Sequence, residues 1–294
     1  MLLVTFSDGP DARIGVLDRE AGELVDLAKA APELAGTMLG LIRLGSGGLA
    51  AARRAVASGA GRLPLGGVRL LAPIPRPGRN LLCIGKNYRD HAAEIRAIGS
   101  GGSDEDLPRH PIVFTKAPAT VIGPGEPIPA YLDRTESVDY EGELAVVIGP
   151  GGRDIPRSAA REHIFGYTIV NDVTSRRLQR RHGQWFIGKS LDGFCPMGPA
   201  ILSADEVPDA GALRVQTRVN GELRQDGRTV DLIFDIPTLI ETLSTGMTLE
   251  AGDLIATGTP AGVGVALDPP RFLRPGDRVA ITVEPIGTLD NPVA

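Results

Sequence analysis

The second half of the chain sets the strongest constraint on its fold. From Pro111 to Ala294, short apolar runs follow one another between Gly and Pro turns: IVFTK, ELAVVIG, IFGYTIVND, RVQTRVNG, LIATGT and RVAITVE. Runs of roughly four to eight such residues bounded by turn formers read as strands. NGELRQDG reads as a hairpin or strand–turn element. DLIFDIPTLIETLST, with apolar residues at helical spacing, is the clearest helix of this region. With 38 glycines and 24 prolines in 294 residues, few long helices fit, and the sequence predicts a β-rich α+β body.

The first 72 residues read differently. LLVTFS and RIGVLD look like two strands around a turn at Asp8-Gly9-Pro10. The segment from Glu33 to about Ala57 looks helical, broken at Gly45 to Gly48. A strand at Val68 to Leu71 leads into PIPRPGRN, where Pro73, Pro75 and Pro77 make a stiff linker. The expected division is a small N-terminal α/β unit over residues 1–72 and a larger body over 78–294. In that body NYRDHAAEIRAI opens a helix with Asn87 as the expected N-cap. Residues 99–110, GSGGSDEDLPRH, read as a mobile loop.

Hydrophobic residues make up 42% and charged residues 23% of the chain, ordinary values for a soluble globular protein. A formal net charge of −5 gives no electrostatic reason for a nucleic-acid or anionic-membrane partner. No apolar stretch is long enough to span a bilayer. The N-terminus lacks a basic region and reads as a strand rather than a signal peptide. Cys83 and Cys195 both sit in apolar surroundings, as buried free thiols do, so a cytoplasmic location is expected.

Five clusters carry candidate chemistry. In DYEGELAVVIG, alternate strand residues share a face, so Asp139, Glu141 and Glu143 point the same way, into a run that reads as buried on both sides. Such carboxylates either end a solvated strand or hold a divalent cation of the hard, oxygen-loving kind: Mg2+, Mn2+ or Ca2+. IFGYTIVND ends a second apolar strand in Asp172, a turn residue or a third ligand. Arg176 and Gln179 follow on one face of a helical turn. In GQWFIGKSLDG, Lys189 is either solvated or aimed at an anion, and Trp185 reads as a core residue. In NYRDHAAE, His91 and Glu94 are spaced i, i+3 and can form an acid–base pair or a surface contact. LIATGTPAGVG offers backbone N–H groups and the Thr257 and Thr259 hydroxyls to an oxyanion, or is merely a turn.

In combination and in this order, IGKNYRDHAAE, DYEGELAVVIG, NDVTSRRLQ, GQWFIGKSLDGFCPMGP and LIATGTPAGVG resemble the fumarylacetoacetate hydrolase superfamily, over roughly residues 80–265. The resemblance implies a mixed β-roll catalytic domain, a homodimer, and an accessory role for the N-terminal unit. It implies Glu141, Glu143 and Asp172 as metal ligands, with Mg2+ expected. Lys189 is implied as the active-site lysine, His91 and Glu94 as a catalytic dyad on a segment that closes over the site, and Thr259 as a substrate-carboxylate contact. Arg176, Gln179 and Tyr88 are implied near the substrate. In this sequence Arg177 stands where many members carry an acidic residue.

The chemistry implied is that of a 2-oxo acid whose enolate charge a metal stabilises. The leading expectation is hydrolysis of the C–C bond in a 2,4-dioxo acid, an acylpyruvate or a sugar-derived diketo acid. The alternative is decarboxylation or isomerisation of a related 2-oxo or 2-hydroxy-dienoic acid, such as oxaloacetate or a homoprotocatechuate-pathway intermediate.

Overall fold

Two neighbouring strands organise the fold: Gly142–Ile148 and Ile164–Asn171, buried along their whole length in the computed structural model. Apolar side chains on both faces require cover on both faces, which puts these strands in the middle of a sheet. They pair antiparallel from Gly142 opposite Asn171 to Ile148 opposite Ile164. That register places the end of one strand beside the start of the other. The Asp172 N–H donates to the Glu141 carbonyl at 2.9 Å, so two acidic residues 31 positions apart become neighbours.

The structure describes residues 1–34, 36–99 and 107–294. Its large sheet has twelve strands. Its main path runs from Arg62–Pro64 through Glu23–Asp26, Arg13–Asp18, Leu2–Ser7, Cys195–Ser203, Ile164–Asn171, Gly142–Ile148, Leu254–Ala256 and Leu81–Gly85 to Ile112–Lys116. Leu81–Gly85 lies parallel to Leu254–Ala256 and antiparallel to Ile112–Lys116, so the sheet is mixed, and it does not close into a barrel. A second, antiparallel sheet of four strands has the order Glu222–Arg228, Arg214–Val219, Arg278–Val283, Gly287–Pro292. The mixed α and β architecture expected from the sequence is present.

The N-terminal strands Leu2–Ser7 and Arg13–Asp18 pair with each other, and Leu2 and Leu3 also pair with Leu202 and Ile201. One apolar cluster accordingly mixes Leu3, Ile14 and Leu41 with Cys83, Val147 and Cys195. The helical stretch is two helices, Met38–Arg43 and Gly45–Ser58. The break lies at Leu44, which belongs to neither helix, and at Gly45, which opens the second with φ of +54°. Gly47 and Gly48 belong to the second helix, contrary to expectation. A Cβ on Gly48 would lie 2.9 Å from the Leu44 Cβ, so close packing of the two helices outweighs the poor helix propensity of glycine.

Other local expectations were met or displaced for identifiable reasons. The hairpin of Arg214–Val219 and Glu222–Arg228 turns on Asn220 and Gly221, with φ of +52° and +83°, the left-handed pair that a tight hairpin requires. The helix expected from Asp231 starts only at Ile236, because Asp235 caps it by accepting from the Thr238 N–H at 3.0 Å. The helix Arg89–Ala97 has Tyr88, not Asn87, at its N-cap. Asn87 is drawn away by tertiary partners: its amide donates to the Thr257 and Phe234 carbonyls and accepts from the Phe234 N–H. Both cysteines are free and buried. Among the described residues no helix is long and apolar enough to cross a membrane. The proposed loop at 99–110 lies largely in residues 100–106, outside the described residues.

Candidate metal centre and active site

Glu141, Glu143 and Asp172 are buried, and each offers a carboxylate oxygen within 4.8 Å of the others. Glu141 and Glu143 flank Gly142 at the start of the central strand. Asn171 steadies the turn, its side-chain oxygen accepting the Glu141 N–H at 3.1 Å. Glu143 accepts the Gly258 N–H at 2.9 Å, which ties the ligand strand to the LIATGTPAGVG loop.

Three buried cations surround the triad. Lys189 Nζ donates to Glu141 Oε2 at 2.8 Å and to Asp172 Oδ2 at 2.7 Å. Lys116 Nζ lies 2.8 Å from Asp172 Oδ1 and also donates to the Val173 carbonyl at 3.0 Å. Arg176 Nη1 lies 2.6 Å from Glu141 Oε1, and its Nε donates to Asp139 Oδ2 at 2.8 Å. Four buried carboxylates thus face three buried cations, so full ionisation would leave an excess of one negative charge. Burial pushes Glu143 well above the usual carboxylate range, and Asp172 and Glu141 push it further. Burial acts the same way on Glu141, but Lys189 and Arg176 outweigh it and hold that carboxyl well below the usual range. Burial opposes the charge on Lys189, yet Asp172 and Glu141 raise its pKa.

This donor set fits a divalent cation. Its oxygens are hard ligands, Glu143 is an acid that burial disfavours as an anion, and the excess charge is negative. A dication would turn that excess into one positive charge, suited to an anionic substrate.

A cavity of about 270 Å3 is walled by His91 together with Glu141, Glu143 and Lys189; Asp172 and Glu94 stand behind that wall, bonded to Lys189 and His91. His91 Nδ1 lies 3.0 Å from Glu94 Oε1. Glu94 Oε2 accepts the Gly262 N–H at 2.8 Å, so the carboxylate is held from both sides. With Nδ1 paired, Nε2 is the ring nitrogen left for proton transfer.

The other predicted residues divide. Arg176, Gln179 and Thr259 line the same cavity, and Arg176 Nη1 contacts Gln179 Oε1 at 3.4 Å. Tyr88 is not among the lining residues. Its ring packs toward Gly227, where a Cβ would lie 3.4 Å from Tyr88 Cε1, and its hydroxyl has no hydrogen-bond partner among the described residues. The Thr257 hydroxyl donates to the Leu144 carbonyl at 2.9 Å and is taken up by the fold.

Three residues escaped the sequence reading. Lys116 ends the apolar run IVFTK, and a lysine closing such a run was the available signal. Trp185 lines the cavity rather than the core. It meets Phe114 edge to face at 5.2 Å and passes so close to Gly85 that a Cβ there would lie 2.4 Å from its ring. Gln225 is buried between the ligand strand and the Thr259 loop.

Comparison with known proteins places the chain in a family. A model of the fumarylacetoacetate (FAA) hydrolase C-terminal family matches residues 80–294. Oxaloacetate tautomerase YisK of Bacillus subtilis (strain 168) is 58% identical over 226 residues, which are 77% of this chain and 73% of that protein. The solved fumarylacetoacetate hydrolase of Exiguobacterium antarcticum is 45% identical, with a TM-score of 0.84 over 100% of this chain and 99% of its own. A maleylpyruvate hydrolase from Sphingobium sp. SYK-6, solved with manganese (II) ion and pyruvate, is 33% identical, with a TM-score of 0.78 over 100% of this chain and 99% of its own. The acidic triad, the paired His91 and Glu94 and these matches lead to one conclusion: the chain belongs to the fumarylacetoacetate hydrolase family.

Proposed function

We propose that the protein is a divalent-metal-dependent tautomerase of a small 2-oxo diacid of the oxaloacetate class. The observation that carries the reading is the His91–Glu94 pair, 3.0 Å apart, whose imidazole lines the cavity that Glu141 and Glu143 of the acidic triad also line. Its likeness to an oxaloacetate tautomerase at 58% identity favours isomerisation over the C–C hydrolysis that the sequence placed first. Cavity size points the same way. About 270 Å3 lies just below the roughly 300–1,000 Å3 of typical small-ligand pockets and suits a short diacid.

Glu141, Glu143 and Asp172 would hold the metal, with Mg2+ the first candidate. When bound, the cation supplies Lewis acidity toward the 2-oxo group. The protein's own part is proton transfer. His91 Nε2 removes a proton from C3 of the keto acid, the C3–H electron pair becomes the C2–C3 double bond, and the 2-oxo oxygen gains the negative charge and then a proton. The reverse sequence converts enol to keto. Glu94 fixes the His91 tautomer and stabilises the imidazolium. Lys189, 5.0 Å from the Phe114 ring centroid and buried beside the ligands, adds a fixed positive charge where anionic charge develops.

A second reading rests on the maleylpyruvate hydrolase neighbour: the same dyad could deprotonate water to cleave a 2,4-dioxo acid. Incubation of the Mg2+-loaded protein with oxaloacetate and with a panel of acylpyruvates separates them. Tautomerisation predicts enol–keto exchange without pyruvate. Efficient pyruvate release from an acylpyruvate would favour the hydrolase.

A further inference from the structure

Gln225 comes from the second sheet, yet it is buried against the active-site loop. Its Oε1 accepts the Gly142 N–H at 3.0 Å. Its Nε2 donates to Thr259 Oγ1 at 2.7 Å and to the Pro260 carbonyl at 2.8 Å. Turning the amide over would set donor against donor at Gly142 and acceptor against acceptor at Pro260, so the network fixes its orientation. Thr259 Oγ1 therefore accepts from Gln225, and its single proton goes to the Gly142 carbonyl at 3.0 Å. An ionised carboxylate only accepts hydrogen bonds. The Thr259 hydroxyl has no proton left to offer one, although Thr259 lines the cavity. The Thr259 backbone N–H has no partner among the described residues.

We propose that Gln225 is a positioning residue that commits the Thr259 hydroxyl to the fold and leaves the Thr259 backbone N–H to receive a 2-oxo acid's carboxylate. This rests on the reading that the cavity takes a 2-oxo acid. Gly142 stands between the ligands Glu141 and Glu143, so the same bonds set the spacing between the ligand strand and the substrate loop. The expected hydroxyl contact of Thr259 is thereby replaced by a main-chain contact.

The test is isothermal titration of the Mg2+-loaded protein with oxalate. Thr259→Val should bind oxalate within about threefold of wild type, because the substrate donor is retained. Gln225→Leu should lose about tenfold or more, the scale of a misplaced charge-assisted hydrogen bond. Both should bind Mg2+ itself within about threefold of wild type. For turnover, Gln225→Leu should raise KM more than it lowers kcat. If Gln225→Leu does not fold, Gln225→Glu, of similar size but without the donor, should show the same loss. A loss of about tenfold in Thr259→Val that matches or exceeds the loss at Gln225 overturns the proposal. Failure of wild type to bind oxalate at all would sink the 2-oxo acid reading with it, whereas a reversed ranking of the variants sinks the Gln225 role alone.

Discussion

Lys189 Nζ sits between two of the three carboxylates of the acidic triad, 2.7 Å from Asp172 Oδ2 and 2.8 Å from Glu141 Oε2. In the metal-free protein this lysine is the principal neutraliser shared by both carboxylates. Removing one partner of a buried ion pair costs about 3–5 kcal/mol. Lys189→Met should therefore destabilise the metal-free protein on that scale. Saturating Mg2+ should recover a large part of the loss, because a dication replaces the missing charge. Denaturant unfolding with and without Mg2+ checks this, and an equal loss under both conditions would contradict it.

Glu143 is the least compensated carboxylate of the triad. Among the described residues it accepts one backbone N–H, from Gly258. Glu143→Gln removes a buried acid whose ionisation burial, Asp172 and Glu141 oppose, while keeping an acceptor for that N–H, so the metal-free variant should be at least as stable as wild type. Metal should then confer little. Wild type should gain about 2.7 kcal/mol at a metal concentration near 100 times Kd. Thermal melts across a Mg2+ titration read both effects.

Replacing Glu94 tests the dyad. Glu94→Gln keeps an acceptor for the Gly262 N–H but no longer offers a negative charge to His91. Loss of general acid–base assistance typically costs about 10²–10⁴ in rate, so kcat should fall within that span while Mg2+ affinity stays the same. His91→Asn should fall at least as far. A weakened Mg2+ affinity in Glu94→Gln would mean that the residue acts on the ligands instead.

The acidic cluster was legible in part: strand alternation put Glu141 and Glu143 on one face of a buried run, but that pattern also allows a solvated strand end, and only the family resemblance grouped them with Asp172. The dyad was legible because i, i+3 spacing needs only a helix. What the sequence hid depends on strand register. Lys116 enters the site through the pairing of Ile112–Lys116 with Leu81–Gly85, which sets Lys116 opposite Leu81, and nothing local specifies that partner. Asn87 obeyed a local capping rule on paper, yet carbonyls of Phe234 and Thr257 claimed its amide. Trp185 reads as core in isolation. Only the closeness of Gly85 shows that its ring forms a cavity wall. Gln225 sits in a polar hairpin strand that carries no sign of a buried partner.

Asp235 offers a test of the fold away from the site. It caps the helix Ile236–Ser244 and accepts from the Thr238 N–H and hydroxyl. Burial works to raise its pKa, but the Arg157 and Thr238 hydrogen bonds hold it below the ordinary 3.8. A carboxyl depressed in the folded state stabilises above its unfolded pKa and loses that contribution as pH falls through the folded value. Asp235→Ala should cost about 1 kcal/mol near neutrality, and the gap from wild type should shrink in strong acid. A gap that is unchanged across the acid range would contradict the assignment.

The central claim is that one cavity, its acidic triad and the His91–Glu94 pair interconvert the keto and enol forms of a short 2-oxo diacid. Stopped-flow absorbance of freshly dissolved enol-oxaloacetate, followed with the Mg2+-loaded protein while pyruvate is assayed in the same samples, tests it most directly. The account predicts a protein-dependent acceleration of enol loss, no matching pyruvate, and a collapse of that acceleration in His91→Asn. Enol loss no faster than in buffer containing Mg2+ alone, or pyruvate appearing in step with enol loss, would contradict it.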